Sequence, residues 1–212
     1  MKLTKYTHSC LVLEEQGKKL IIDPGEFTPE FGDAENVAAV VVTHIHPDHF
    51  SAGKLEEIFA RNPDATLFTT EEVKQQFGKP NAVTPKIGGR ITIGPFGLEF
   101  FGGRHAEIHS LKPVAQNISV LINDTLYYPG DSLAAPERPV NILAMPAVAP
   151  WLKMSEAIEF LQTVKPEAFF FRTHDALLSD DGKLVYDTWF KTAAEAFGLA
   201  YKPLEPGQSI EL

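Results

Sequence analysis

Three of the chain's seven histidines fall within six residues, in the run Thr43-His44-Ile45-His46-Pro47-Asp48-His49. His44 and His46 are two positions apart, so at the end of an extended strand both side chains point the same way. Pro47 then turns the chain, and Asp48 and His49 beyond it aim a second pair of donors at a neighbouring point. Two donor sets a few ångströms apart are what a pair of divalent cations needs, and in two-metal hydrolytic sites the ions lie about 3.5–4 Å apart. Imidazole and carboxylate suit Zn²⁺, Mn²⁺ or Fe²⁺ and not Cu(I). A solvated loop would explain one histidine at a strand end; it does not explain this cluster.

The elements around the cluster can be read from apolar periodicity. Val37–Thr43 is apolar on both faces, as a strand covered on both sides is, and it ends at the cluster, where α/β folds place their chemistry. Ahead of it, Leu3–Ser9, Cys10–Glu15 and Lys19–Asp23 read as strands, with a turn at Gly17. Ser51 is a plausible N-cap for a helix over Lys54–Arg61, and Ala65–Thr69 is a short strand. Thr69 and Glu72 have capping-box spacing for a helix to Phe77, with Gly78 after it. Arg90–Ile93, Leu98–Phe101, Ile118–Ile122 and Thr125–Tyr128 are the next strands, the last two joined by an Asn123-Asp124 turn. Val140–Met145 and Ala168–Arg172 are strands, Ser155–Val164 and Asp187–Phe197 helices, and Gln208–Leu212 a final strand. Strands followed by helices, twice over, predict an α/β fold with two mixed β-sheets packed together and helices outside: a four-layer αββα sandwich.

With 212 residues, 44% of them hydrophobic, the chain suits a single domain over residues 1–212. Nineteen basic residues against twenty-eight acidic ones give a net charge of −9, with no cluster of Lys and Arg. Such a surface repels phosphate backbones, so no nucleic-acid partner is expected. The longest apolar stretches, Val37–Val42 and Ala168–Phe171, are far short of the ~20 residues of a membrane span. The stretch Met1–Cys10 lacks the apolar run of a secretion leader. The single cysteine, Cys10, excludes an internal disulfide, reads as a small core residue and suits a reducing compartment. A cytoplasmic location is expected, and assembly into a homo-oligomer is left open.

The pattern His44-x-His46-x-Asp48-His49 resembles the signature of the metallo-β-lactamase-fold superfamily. Other segments agree in order: Ile21-Ile22-Asp23-Pro24-Gly25 ahead of the motif, Tyr128-Pro129-Gly130-Asp131-Ser132, and His174 after Ala168–Arg172. The resemblance implies that His44, His46 and a later histidine hold one metal, that Asp48, His49 and His174 hold a second, and that Asp131 bridges them. His105, directly after a strand, stands at the family's expected place for the later histidine; His109 is the alternative, and otherwise a pocket or surface residue. Asp23 would orient ligands near the metals, against the plainer reading of a turn with Pro24 and Gly25. Asp131 has its own plainer reading, a carboxylate capping a turn. His8 would reach the rim of the site or pack within its strand. Trp151, with Met145, Phe96 or Phe101, would wall an apolar pocket or simply fill the core. Arg104 and Arg172 would clamp an anionic substrate or form structural ion pairs.

Two cations sharing a water lower its pKa towards neutrality and take up charge developing on oxygen, with no covalent enzyme intermediate. Asp48 can accept a hydrogen bond from that water while ligating. A metal-dependent hydrolase is therefore expected, with two divalent ions, zinc first and manganese or iron as alternatives, acting on a small-molecule ester, lactone or phosphodiester. The stretches His8-Ser9-Cys10 and Pro146–Trp151 look most like the compact hydrolases related to ascorbate-6-phosphate lactonase. Two other readings stay open: an iron enzyme of the same fold handling O₂ or sulfur species, and a metal-stabilised binding module without turnover.

Overall fold

The computed structural model describes residues 1–29 and 34–212. Its first sheet has seven strands: β1 (Lys2–Lys5), β2 (Leu11–Glu15), β3 (Lys18–Ile22), β4 (Val37–Val42), β5 (Thr66–Thr69), β6 (Ala82–Val83) and β13 (Ser209–Glu211). They lie in the order β13-β1-β2-β3-β4-β5-β6, antiparallel from β13 to β3 and parallel from β3 to β6. The second sheet runs β12 (Phe169–Thr173), β11 (Ile142–Pro146), β10 (Leu126–Tyr128), β9 (Ile118–Ile122), β8 (Phe96–Gly102) and β7 (Arg90–Ile93). Here β10, β11 and β12 are parallel and the remaining pairs antiparallel. Among the described residues four helices cover the outside: α1 (Ala52–Arg61), α2 (Glu71–Phe77), α3 (Met154–Val164) and α4 (Asp180–Phe197).

Strand alternation generates three apolar layers. Leu11, Leu13, Leu20, Ile22 and Val41 of the first sheet meet Leu98, Phe100, Val120, Ile122, Ala144 and Phe171 of the second. The opposite face of the first sheet, with Val12, Ile21, Val40, Val42 and Leu67, packs on Leu55 and Ile58 of α1 and Val73 of α2. Tyr127, Leu143, Met145 and Phe170 on the outer face of the second sheet pack on Phe160 and Leu161 of α3 and Phe190 of α4. The αββα sandwich follows from these two-sided strands.

Several boundaries differ from the sequence expectation, each for a local reason. The α2 cap is Thr70, whose side chain accepts from the Val73 amide; Thr69 ends β5 and its hydroxyl donates to the Val42 carbonyl at 2.8 Å. Helix α4 starts at Asp180, a full two turns before Asp187: Ser179 accepts from the Gly182 amide, and Asp180 and Asp181 face the positive end of the helix dipole. Gly182 and the exposed Leu184 and Val185 disguised that first stretch. Strand β1 stops at Lys5, because the chain turns through His8 at φ 67°. The hairpin turn at Asn123 and Asp124 has both residues at positive φ, 49° and 52°, as a type I′ turn requires.

The candidate ligands and Asp23 come from six connections at one edge of the sandwich, and the segment after β11 brings Trp151 beside them. The six are the β1–β2 turn and the segments following β3, β4, β8, β10 and β12. Among the described residues no helix is long and apolar enough to cross a membrane.

Candidate metal centre

His44, His46 and His49 leave the end of β4. The rings of His44 and His46 stand 4.8 Å apart, and His105, just after β8, closes a triangle with ring centroids 4.8 Å from His44 and 4.6 Å from His46. One donor atom from each of these three imidazoles and one from Asp131 lie within 4.8 Å of one another. On the other side, His49 and His174 bring their Nε2 atoms to 3.1 Å, and both also face Asp131 Oδ1, at 3.1 and 2.7 Å. Asp131 Oδ2 faces the first group, 3.2 Å from His105 Nε2 and 3.8 Å from His44 Nε2. One carboxylate thus divides its two oxygens between two histidine sets.

Asp48 approaches this arrangement from the turn after Pro47. Its Oδ2 lies 3.7 Å from His49 Nε2 and 3.1 Å from His8 Nε2. His8 is fully buried, stacks edge-on to His174 and supplies a donor atom to a group with His49 and His174. It belongs inside the site and not on the rim. Nothing in its local sequence announces this, because the contact depends on a turn 40 residues from Asp48.

Two tests show that these residues suit metal ions. His44 Nε2 is buried with no hydrogen-bond partner, while its Nδ1 sits 3.0 Å from the Thr43 hydroxyl. An unpartnered imidazole nitrogen costs about 1–3 kcal/mol unless a ligand meets it. At the second group, His49 Nδ1 lies 2.6 Å from Asp23 Oδ2, and its Nε2 faces both His174 Nε2 and Asp131 Oδ1 at 3.1 Å. A divalent cation placed among these groups would satisfy both imidazoles and the carboxylate together, and transition metals prefer this donor mixture.

Asp23 is the hub that orients the centre. It is completely buried and accepts from the Thr43 amide (2.7 Å), the Thr43 hydroxyl (2.7 Å), His49 Nδ1 and the Tyr128 hydroxyl (2.9 Å). Partners of this kind fix the tautomer and rotation of a metal-binding histidine. Burial favours neutral His49, but the carboxylates of Asp131 and Asp23 outweigh it and hold the His49 pKa well above the ordinary value. Burial together with the charge of His49 pushes His44 well below it. For Asp131, burial works against ionisation, yet His49, His174 and His44 keep the carboxyl well below its usual range. Asp48 is likewise lowered, its burial overcome by the hydrogen bond from His8 and the charge of His49.

The backbone holds three non-glycine residues of the site in the left-handed region: His8 (φ 67°), Asp23 (φ 45°) and His174 (φ 63°). Each costs about 1–3 kcal/mol and persists only where its surroundings enforce it. Here the His174 amide donates to the His8 carbonyl (3.1 Å) and the His8 amide to Asp175 Oδ1 (3.0 Å). Asp175 is anchored by the buried Lys5 ammonium at 2.7 Å and flanked by Arg172. Gly25 is required by close approach: a Cβ there would stand 2.2 Å from the Asp48 carbonyl carbon.

For the remaining residues the structure selects among the alternatives the sequence left open. His109 is left out of the cluster; it is exposed, its Nδ1 accepts from the Leu111 amide, and it lines only a shallow recess beside His46 and His105. Arg172 clamps no substrate: it is fully buried and pairs with Asp175, Asp187 and Glu205. Arg104 is exposed. Phe96 belongs to the layer between the sheets, and Phe101 packs on Tyr127. Trp151 does adjoin the site, but as a hydrogen-bond donor, with Nε1 2.7 Å from Asp131 Oδ2. Cys10 is buried in the core, and burial pushes its thiol far above the ordinary range.

Comparison with known proteins identifies the family. Residues 2–170 match the family model described as a β-lactamase superfamily domain, a span that ends just before His174. Protein Rv0786c of Mycobacterium tuberculosis is 36% identical over 191 residues, covering 88% of this chain and 89% of that protein. A UPF0173 metal-dependent hydrolase of Carboxydothermus hydrogenoformans is 28% identical over 235 residues and covers the full length of both. The metallo-β-lactamase fold protein YhfI of Bacillus subtilis superposes with a TM-score of 0.73 at 16% identity, over 100% of this chain and 98% of that one. A strand-end histidine cluster, a carboxylate shared between two donor sets and the two-sheet sandwich beneath them all lead to one family: the chain belongs to the β-lactamase superfamily, with the metallo-β-lactamase fold.

Proposed function

We propose that this protein is a metal-dependent hydrolase with two divalent cations, zinc foremost, acting on a small-molecule ester, lactone or phosphodiester in the cytoplasm. The observation that carries this reading is the division of Asp131, one oxygen toward His49 and His174 and the other toward His44 and His105. The orphaned His44 Nε2 supports it, and so does the name of the full-length relative, a metal-dependent hydrolase. The single buried thiol and the acidic net charge support the compartment and the absence of a nucleic-acid substrate.

In this reading His44, His46, His105 and Asp131 would hold one ion, and Asp131, His49, His174 and Asp48 would hold the other. Bound divalent cations supply Lewis acidity, which lowers the pKa of a water and stabilises charge developing on a substrate oxygen. Asp23 holds His49 in the tautomer whose Nε2 faces the site. His8 fixes one oxygen of Asp48, and the depressed pKa keeps that carboxyl ionised, able to accept a hydrogen bond from the attacking water. The buried Asp23, Thr43 and Tyr128 keep solvent off the back of the histidines.

Elemental analysis of the purified protein, followed by assays on a panel of lactones, thioesters, aryl phosphodiesters and a chromogenic lactam, tests the proposal. About two zinc or manganese ions per chain and turnover of at least one hydrolysable substrate are expected. A chain that takes up no metal refutes the reading, and coloured iron-loaded protein consuming O₂ replaces it with the oxidative alternative.

A further inference from the structure

Asp131 is touched by many groups, but among the described residues one partner of its carboxylate is not itself a candidate metal ligand. That partner is Trp151, whose Nε1 donates to Oδ2 at 2.7 Å, closer than His105 at 3.2 Å or His44 at 3.8 Å. The indole N–H is a donor only; it neither titrates over the working range nor coordinates a metal. Trp151 is 8% exposed, and its ring packs edge-on to His105 with centroids 5.9 Å apart. The indole is therefore held between a candidate ligand of the first ion and the carboxylate shared by both.

The final torsion of an aspartate is broad and nearly two-fold, so a bridging carboxylate has no intrinsic reason to keep its oxygens on separate sides. An ionised carboxylate oxygen has about two acceptor directions. Trp151 occupies one acceptor position of Oδ2, which also faces His105 and His44, while Oδ1 faces His49 and His174 and has no indole partner.

We propose that Trp151 is a positioning residue that locks the rotation of Asp131 and so makes it a bridge between two ions rather than a chelator of one. The inference rests on the two-ion reading above. Without the indole N–H the carboxylate can turn both oxygens to a single cation, and the other set loses its shared ligand. The weakening should therefore fall on one of the two metal equivalents, by about ten- to a hundredfold, the usual effect of removing a partner that orients a ligand.

The test is zinc titration of the metal-free full-length chain against a chromophoric chelator, wild type beside Trp151→Phe, with thermal melting of both metal-free forms. The expected result is two tight equivalents for wild type, and for the variant one equivalent of wild-type affinity with the second weakened at least tenfold. Two unchanged equivalents in Trp151→Phe overturn the inference. So does loss of both equivalents in step with a collapse of the metal-free melting temperature, which would mark simple packing. No zinc bound by wild type would instead refute the two-ion reading itself. The chain has only one other tryptophan, Trp189, half-exposed on α4, so a Trp189→Phe variant reports Trp151 alone. Its emission is expected to shift as zinc is added, and a signal unchanged through both equivalents overturns the inference even if Trp151→Phe does not fold.

Discussion

Asp131 and the histidines around it make sharply different demands, which single substitutions separate. Asp131→Asn keeps the volume and removes the charge that His49 and His174 face at 3.1 and 2.7 Å. Metal content and turnover should fall together, turnover by at least a hundredfold, measured on the same preparation by emission spectroscopy and substrate assay; retained turnover would remove Asp131 from the chemistry. His105→Ala should lose one metal equivalent, whereas His109→Ala, altering an exposed ring outside the cluster, should lose none. The reverse outcome would exchange the two assignments. The motif His44-Ile45-His46-Pro47-Asp48-His49 put four of these residues on view in the sequence, although β4 ends at Val42 and a bend beyond it, not strand periodicity, brings His44 and His46 together. Two features were not legible. His8 enters through a left-handed turn whose partner, Asp175, lies 167 residues away, and Trp151 reaches Asp131 across 20 residues of loop and strand. Local periodicity carries no information about either contact.

The turns and caps that end the elements decide how accurately these side chains are held. The segment after β3 passes so close to the Pro47–His49 turn that Gly25→Ala places a methyl group against the Asp48 backbone. That turn must shift, and both lower stability, by about 1–3 kcal/mol for an overpacked position, and weaker metal binding are expected. Denaturant melts with and without zinc separate the two effects. Ser51→Ala removes the cap of α1, whose side chain accepts from the Lys54 amide, and should cost about 1 kcal/mol in urea unfolding while leaving metal stoichiometry intact. Element ends were also where the sequence was hardest to interpret. The apolar strands stood out because β4 and β9 are buried on both faces. The first turns of α4 did not, because Leu184 and Val185 point outward there and give no amphipathic signal.

Taken together, the sandwich gains stability from three apolar layers and loses some of it at one edge, where imidazoles and carboxylates are buried side by side. Metal ions that bind the folded state in preference to the unfolded chain would offset that loss. At free metal a hundredfold above the dissociation constant, one site adds about 2.7 kcal/mol. For a chain of this length that corresponds to a rise in Tm of about 5–10 °C, which chelation should abolish in a scanning calorimeter. The fold class was legible because strands and helices alternate in two blocks. The convergence of six connections on one edge was not, since it follows from how the sheets stack. The left-handed backbone at His8, Asp23 and His174 carries this conflict further. Directed evolution for heat tolerance in metal-stripped medium should replace His8 and His174 early, with glycine or asparagine, and keep Asp23, whose carboxylate accepts four buried hydrogen bonds, yielding hardier proteins that can no longer perform the reaction.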